Sequence, residues 1–318
     1  MASSLPGIHH ITAFASDVQR NTDFYTDVLG LRLVKVTVNF DDHSLYHTYF
    51  GDWQGTPGSL ITFFPVPGAR PGRRGGGEAA VTQYATGKGM IGAWQDRLRG
   101  AGLEVKDPIS RFGDLVLSFE DPDGLSLEIV ETAIPDKRAG WAGGPLDPEM
   151  SLRGFYGVTL SSLRTDASLA LLIEGMGFTE VDRNDERIRL QAEGAEFAGY
   201  ADLLLDSQPF RSQSAGSVHH VAWRTPDDLR QRFWRERLSF RGIQATQVMD
   251  RCYFKSIYFR EPGGILYEIA TDQPGFAIDE PIESLGGSLK LPAWVEAKRP
   301  EIVKGLSRFR SSSGSVFP

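Results

Sequence analysis

Apolar positions along this chain follow two rhythms in turn, and the alternation recurs four times. Strand-like runs open each unit: "IHHITAF" from Ile8, "AVTQYAT" from Ala80, "FYGVTLSS" from Phe155 and "VHHVAWRT" from Val218. A stretch with apolar residues at helical spacing follows each. These are Phe24, Tyr25 and Val28; Ile91, Trp94 and Leu98; Leu169, Ile173 and Met176; and Leu229 with Phe233. Asp17 and Asp166 are the expected caps of the first and third helices. Thr225 is that of the fourth, with Pro226 at its first position. Each helix stops at a glycine followed by an apolar residue: Gly30-Leu31, Gly102-Leu103, Gly177-Phe178 and Gly242-Ile243. Strand-rich runs such as "LRLVKVTV" and "CYFKSIYF" come next.

The repeating unit is therefore β-α-β-β-β, and the expected class is α+β. Modules one and two occupy residues 1–135, split near 66–78, and modules three and four occupy 149–272. A tail covers 273–318, where Pro300 starts a short helix in "PEIVKGL". The segment 134–148 joins the halves. "VPGARPGRRGGGE" (Val66–Glu78) carries three arginines and reads as a solvated linker rather than an anion site. Two modules close on a shared phrase, "EDPDGLSLEIVE" and "REPGGILYEIAT", which puts Glu128 and Glu268 at equivalent strand positions.

Composition narrows the function. The chain has 318 residues, 41% of them hydrophobic, which is enough for a substantial core. The net charge of −7 argues against nucleic acid as a partner. No apolar run is long enough to span a membrane, and a cytoplasmic location is expected. The single cysteine, Cys252, rules out an internal disulfide and a thiolate zinc site.

Four of the six histidines sit in two doublets, His9-His10 and His219-His220. Modules one and four together offer two histidines and the carboxylate of Glu268, the set that holds non-haem Fe(II) with coordination positions left open. Strand parity selects the second histidine of each pair. Glu268 lies opposite the bulky face of Ile265, Tyr267 and Ile269; His10 shares a face with Thr12, and His220 with Ala222. The matching position of module one is Thr62 or Phe63, neither a ligand. Module three shows Tyr156-Gly157 at the doublet position and module two Thr82-Gln83, so Glu128 reads as a relic in a metal-free barrel. His43 and His47 read as surface residues of the "DDHSLYHTYF" hairpin.

"GIHHIT", "FYTDVLGLRLVK", "DPDGLSLEI", "SVHHVAW" and "EPGGILYEI" resemble the vicinal oxygen chelate superfamily, whose paired βαβββ modules curl into barrels around a metal. Within it the chain is most similar to the hydroquinone-type ring-cleaving dioxygenases. The resemblance implies two barrel-like halves, with modules one and four meeting at the active site. It implies Fe(II), with Mn(II) suited to the same ligands, and O2 as co-substrate. The implied substrate is a small aromatic diol of hydroquinone or catechol type. His10, His220 and Glu268 are then the metal ligands. His9, His219 and Thr12 then stand beside them as catalytic groups near the substrate. The resembling enzymes carry an arginine and a tyrosine 17 and 10 residues before the glutamate, here Arg251 and Tyr258. These two fall out of phase on an unbroken strand, so a turn or bulge near Lys255 is expected. A glyoxalase-type isomerase, which wants four protein ligands, or another metal-dependent lyase, and a non-catalytic binding protein of the bleomycin-sequestering kind are the competing readings. The sequence is compatible with a homo-oligomer.

Overall fold

A computed structural model describes residues 4–133, 136–206, 208–210 and 212–318. The first three residues and the module boundary expected at 135 lie outside them. Module one contains β1 (Ile8–Ala15), α1 (Val18–Asp23), β2 (Arg32–Val38), β3 (Tyr46–Gly51) and β4 (Leu60–Pro65). Module two contains β5 (Glu78–Thr86), α2 (Ile91–Gly100), β6 (Ile109–Arg111), β7 (Asp114–Glu120) and β8 (Ser126–Glu131). Module three contains β9 (Phe155–Ser161), α3 (Thr165–Ala170), β10 (Phe178–Arg183), β11 (Arg187–Ala192) and β12 (Tyr200–Leu204). Module four contains β13 (Val218–Thr225), α4 (Asp228–Phe240), β14 (Met249–Asp250), β15 (Lys255–Arg260) and β16 (Leu266–Thr271).

The modules pair one with four and two with three. Two curled eight-stranded sheets result, ordered β14-β15-β16-β13-β1-β4-β3-β2 and β10-β11-β12-β9-β5-β8-β7-β6. In each, the two opening strands pair antiparallel at the centre, and each opening strand pairs parallel with the last strand of its own module. Register shifts in the β1–β13 ladder flank the segment His10–Thr12 on both sides. Such shifts bend a strand. Ile11, Ile61, Phe63 and Val221 point outward into the main core beneath the helices. The inner face of the first sheet carries a second cluster, which includes Tyr49, Phe254 and Phe276.

Helix signals were legible to different degrees. Asp17 caps α1, accepting from the Arg20 N–H at 2.7 Å, and α2 buries Ile91, Trp94 and Leu98 as its spacing implies. Two caps need correction. Asp166 lies inside the first turn of α3, whose cap is Arg164, and its side chain makes no capping bond. In α4 the cap is Asp227, accepting from the Arg230 N–H at 2.8 Å, while Thr225 still belongs to β13. Leu229 is 69% exposed and Phe233 37% exposed; the buried stripe is Gln231, Trp234 and Leu238. Both apolar pairs have i,i+4 spacing, and the one carrying the larger ring takes the core.

Gly30 ends the first helical stretch at φ 71°, and a Cβ there would meet Leu146 Cδ1 at 2.6 Å. A side chain at this strand entry, beside the connection between halves, would need a strained backbone and a shift of Leu146. The tail contains the helix expected at Pro300, α5 (Arg299–Gly305). It also seals β2, because the wholly buried Lys35 ammonium donates to Asp279 Oδ1 at 2.6 Å and to Glu280. No helix among the described residues is long and apolar enough to cross a membrane.

Candidate active site

Antiparallel pairing of β1 with β13 sets His10 opposite Ala222 and Thr12 opposite His220, so two histidines 210 residues apart sit diagonally on one face. Parallel pairing of β13 with β16 sets Glu268 beside Ala222 on that face. His10 Nε2 and His220 Nε2 are 3.3 Å apart. Glu268 Oε2 lies 3.3 Å from the first and 2.9 Å from the second. All three residues are buried, and one ligand atom from each lies within 4.8 Å of the others. Among the described residues this is the only such cluster of three.

The donor set fits a divalent cation. Glu268 Oε2 is buried without a hydrogen-bond donor of acceptable geometry, although His220 Nε2 is near. Burial opposes ionisation of Glu268, but His10 and His220 outweigh it and hold the carboxyl well below its usual range. Its other oxygen, Oε1, accepts from the Ser256 hydroxyl. His10 Nδ1 lies 2.9 Å from His9 Nδ1, and His220 Nδ1 lies 2.7 Å from His219 Nδ1. If the second histidine of each pair donates through Nδ1, the first accepts, and both Nε2 lone pairs are free to bind a metal. Burial and the neighbouring His10 push His9 well below the usual imidazole range, and burial with His220 pushes His219 down to about 3. Both first histidines are therefore neutral, as acceptors must be.

The triad opens into a cavity of about 540 Å³, of the size that takes a small ring. Its walls include Phe14, Phe64, Phe254 and Leu266. Arg251 and Tyr258 face it together. The turn their phase demanded lies just before Lys255: Cys252 adopts φ 64°, and the Arg251 N–H donates to the Phe254 carbonyl at 3.0 Å. Arg251 Nε then donates to the Tyr258 hydroxyl at 3.1 Å, and Arg251 Nη2 to Asp41 Oδ2 at 3.0 Å. Burial works against the Arg251 charge, but Tyr258 and Asp41 more than restore it. Thr12 bonds to Thr62 at 2.8 Å and is fully buried. A cavity of about 620 Å³ beside Trp53 and Trp141 is larger but lies away from the triad.

Two expectations change. His47 is not a surface residue: it is 8% exposed, lines the triad's cavity, and bonds to Thr62 and Tyr49. The signal was the parity of "YHTYF", which puts His47 and Tyr49 on one face of a strand buried on both sides. Of the two hairpin histidines, only His43 is partly exposed. The doublet position of module two is also displaced by two residues. Gln83 stands beside Glu128 as Ala222 stands beside Glu268, so Val81, not Thr82 or Gln83, takes the place of His220. An offset of two keeps the face but moves the site. Glu128 itself is gripped by Arg111 at 2.7 and 2.9 Å.

A profile of the Glyoxalase/Bleomycin resistance protein/Dioxygenase superfamily matches residues 7–129. The chain is 45% identical to the Bacillus subtilis (strain 168) protein named "Putative ring-cleaving dioxygenase MhqO", over 97% of this chain and 98% of the relative. It is 32% identical to the chlorohydroquinone/hydroquinone 1,2-dioxygenase of Sphingobium indicum, over 95% of this chain and 96% of the relative. A solved Bacillus subtilis structure, 44% identical, matches with a TM-score of 0.93 over 97% of this chain and 99% of that one. Glyoxalase I of Zea mays, 15% identical, matches with a TM-score of 0.61 over 84% and 92%, a likeness of fold alone.

Proposed function

We infer the reaction from a premise: the chain belongs to the Glyoxalase/Bleomycin resistance protein/Dioxygenase superfamily. It is an enzyme of the ring-cleaving dioxygenase class. The reading we propose is O2-dependent cleavage of a hydroquinone-type aromatic diol, with Fe(II) held by His10, His220 and Glu268. The observation that carries it is the count of ligands. Three converge, and the position equivalent to Glu268 in module one is Thr62, whose hydroxyl is tied to Thr12 and His47. A four-ligand isomerase site lacks its fourth arm here. Three protein ligands leave room for a diol and O2.

Iron(II), when bound, supplies the one-electron path that lets a singlet diol react with triplet O2. The protein's own groups do the rest. His9 and His219 accept from the ligand histidines, which fixes their tautomers and ring planes. Ser256 holds the idle oxygen of Glu268, so one oxygen stays turned to the site. Arg251 and Tyr258 bring a cation and a phenol donor to the oxygen atoms on which negative charge develops. Burial raises the Tyr258 phenol well above its usual range, so it arrives protonated. Phe14, Phe64 and Phe254 keep water out and give the ring flat faces to lie against.

The test is anaerobic loading of the apoprotein with Fe(II), followed by measurement of oxygen uptake and ring-opening absorbance with hydroquinones and catechols. Uptake matched to ring opening, abolished by chelation, is expected. Turnover without oxygen, or full activity in chelated protein, would overturn the assignment.

A further inference from the structure

His47 and Tyr49 are almost wholly buried, line the triad's cavity, and have no part in the chemistry above. They end a chain of hydrogen bonds. Thr12 Oγ1 and Thr62 Oγ1 are 2.8 Å apart, Thr62 Oγ1 and His47 Nε2 2.8 Å, and His47 Nδ1 and the Tyr49 hydroxyl 2.9 Å. Both nitrogens of His47 are thereby engaged, and it has nothing left for a ligand. The Tyr49 oxygen differs. A phenol both donates and accepts, and among the described residues its one hydrogen-bond partner is His47. Half of its capacity is free beside the cavity.

We propose that the Tyr49 hydroxyl determines specificity by binding the second hydroxyl of a 1,4-diol whose first hydroxyl meets the triad, with His47 as its positioning residue. This rests on the ring-cleavage reading and deepens it. Within the sheet the order runs β16-β13-β1-β4-β3, so Glu268 and Tyr49 stand on opposite sides of the two strands that carry the ligand histidines. Hydroxyls at opposite ends of a ring lie farther apart than adjacent ones, and are the pair suited to span that curl. Asn39, Asp41 and Thr246 also line the cavity, but Phe14, Phe64, Phe254 and Leu266 offer a far hydroxyl nothing. A hydroxyl taken there unpaired would lose its bonds to water. Burial first, then the nearby Tyr258 and Glu268, raise the Tyr49 phenol well above its usual range, so it meets the ligand protonated. The chain also suits either polarity. With Nε2–H turned to Thr62, Nδ1 accepts from Tyr49, whose oxygen accepts from the diol. With the other tautomer, Tyr49 donates to an ionised oxygen. A 1,2-diol leaves Tyr49 without a ligand partner.

The test is anaerobic calorimetric binding of hydroquinone, 4-methylphenol and catechol to the Fe(II)-loaded protein and to Tyr49→Phe. The unaltered protein should bind hydroquinone about 10- to 100-fold tighter than 4-methylphenol. In Tyr49→Phe that ratio should fall close to one, while catechol affinity moves much less. His47→Phe, which leaves Tyr49 unheld, should lower the ratio by a smaller factor, and matched thermal melts show that both variants fold. A hydroquinone advantage that survives in Tyr49→Phe would overturn the proposal. Cleavage of catechol but not hydroquinone by the unaltered protein would overturn it while leaving ring cleavage standing. No oxygen uptake with either diol would instead remove the ring-cleavage reading.

Discussion

The two curled sheets solve the same electrostatic problem with opposite means. Their central ladders align position by position: His10 with Gly157, His220 with Val81, Glu268 with Glu128, and Thr62 with Asp202. Each buries a glutamate that needs a positive partner. In the second sheet the chain supplies it. Arg111 grips Glu128 with both ends of its guanidinium, helped by Gln83 at 3.0 Å and Ser118 at 3.2 Å. Arg189 grips Asp202 in the same way, at 2.8 and 3.0 Å, and packs against Phe112, Tyr156 and Tyr200. In the first sheet, among the described residues, no arginine pairs with Glu268, whose neighbours are two imidazoles and the Ser256 hydroxyl. A histidine could not simply be restored at Gly157, where a Cβ would lie 2.5 Å from the Tyr200 carbonyl oxygen. A barrel closed by its own guanidinium groups is a structural element; one whose carboxylate meets two imidazoles has the donor set of a cation site.

The comparison breaks first at the glutamates. Glu268→Gln should strip iron and abolish turnover, a larger loss than the roughly 10- to 100-fold expected when an outer partner of a ligand is removed. Glu128→Gln should leave iron per chain unchanged. Its effect should fall on folding instead, because it leaves Arg111 buried without its counter-charge, at a cost of about 3–5 kcal/mol. Metal analysis together with urea unfolding of both variants separates the two. Iron lost from Glu128→Gln and retained by Glu268→Gln would reverse the assignment of the halves.

Next in size are the donors. Arg251→Met and Tyr258→Phe should each lower turnover by roughly 10- to 1000-fold while iron remains bound, measured by kinetics beside iron content. Loss of iron in either would make it a part of the ligand framework. Smaller again is the effect of the metal on stability. Fe(II) at about 100 times its dissociation constant should stabilise the folded chain by ~2.7 kcal/mol. That gain should vanish in Glu268→Gln and persist in Glu128→Gln, as read by anaerobic thermal melts.

Repetition made most of this molecule legible in the sequence. Four strand–helix–glycine units gave the modules, the two doublets and the paired "LEI" and "YEI" glutamates gave the triad positions, and parity chose between adjacent histidines. What escaped were contacts that no spacing encodes. Arg111 reaches Glu128 across β7, and Arg189 meets Asp202 across the β11–β12 ladder, contacts set by the register of neighbouring strands and not by spacing within any one of them. Around His47 the hairpin composition, rich in aspartate and serine, masks a strand that the tail and its neighbours bury. The exposed Leu229 and Phe233 show that two equivalent apolar stripes can compete on one helix, with tertiary packing deciding between them.

Charge and packing make different predictions for what holds the second sheet. Burial alone would raise the Glu128 carboxyl, but the Arg111 bonds and charge outweigh burial, with Gln83 helping, and its pKa falls below the ordinary 4.5. A carboxyl depressed in the folded state binds fewer protons there than in the unfolded chain, so stability rises with pH across that interval. The contribution is complete above about pH 4.5 and is lost as pH falls through the folded value. The stability gap between the unaltered protein and Glu128→Gln, read from denaturant midpoints between pH 7 and pH 3, should therefore be constant near neutrality and narrow in acid. Protonated glutamate and glutamine present Arg111 with much the same neutral partner, which is why the gap should close. A gap that stays constant into acid would mean that shape, not charge, fills the second barrel, and the contrast drawn between the halves would lose its electrostatic basis.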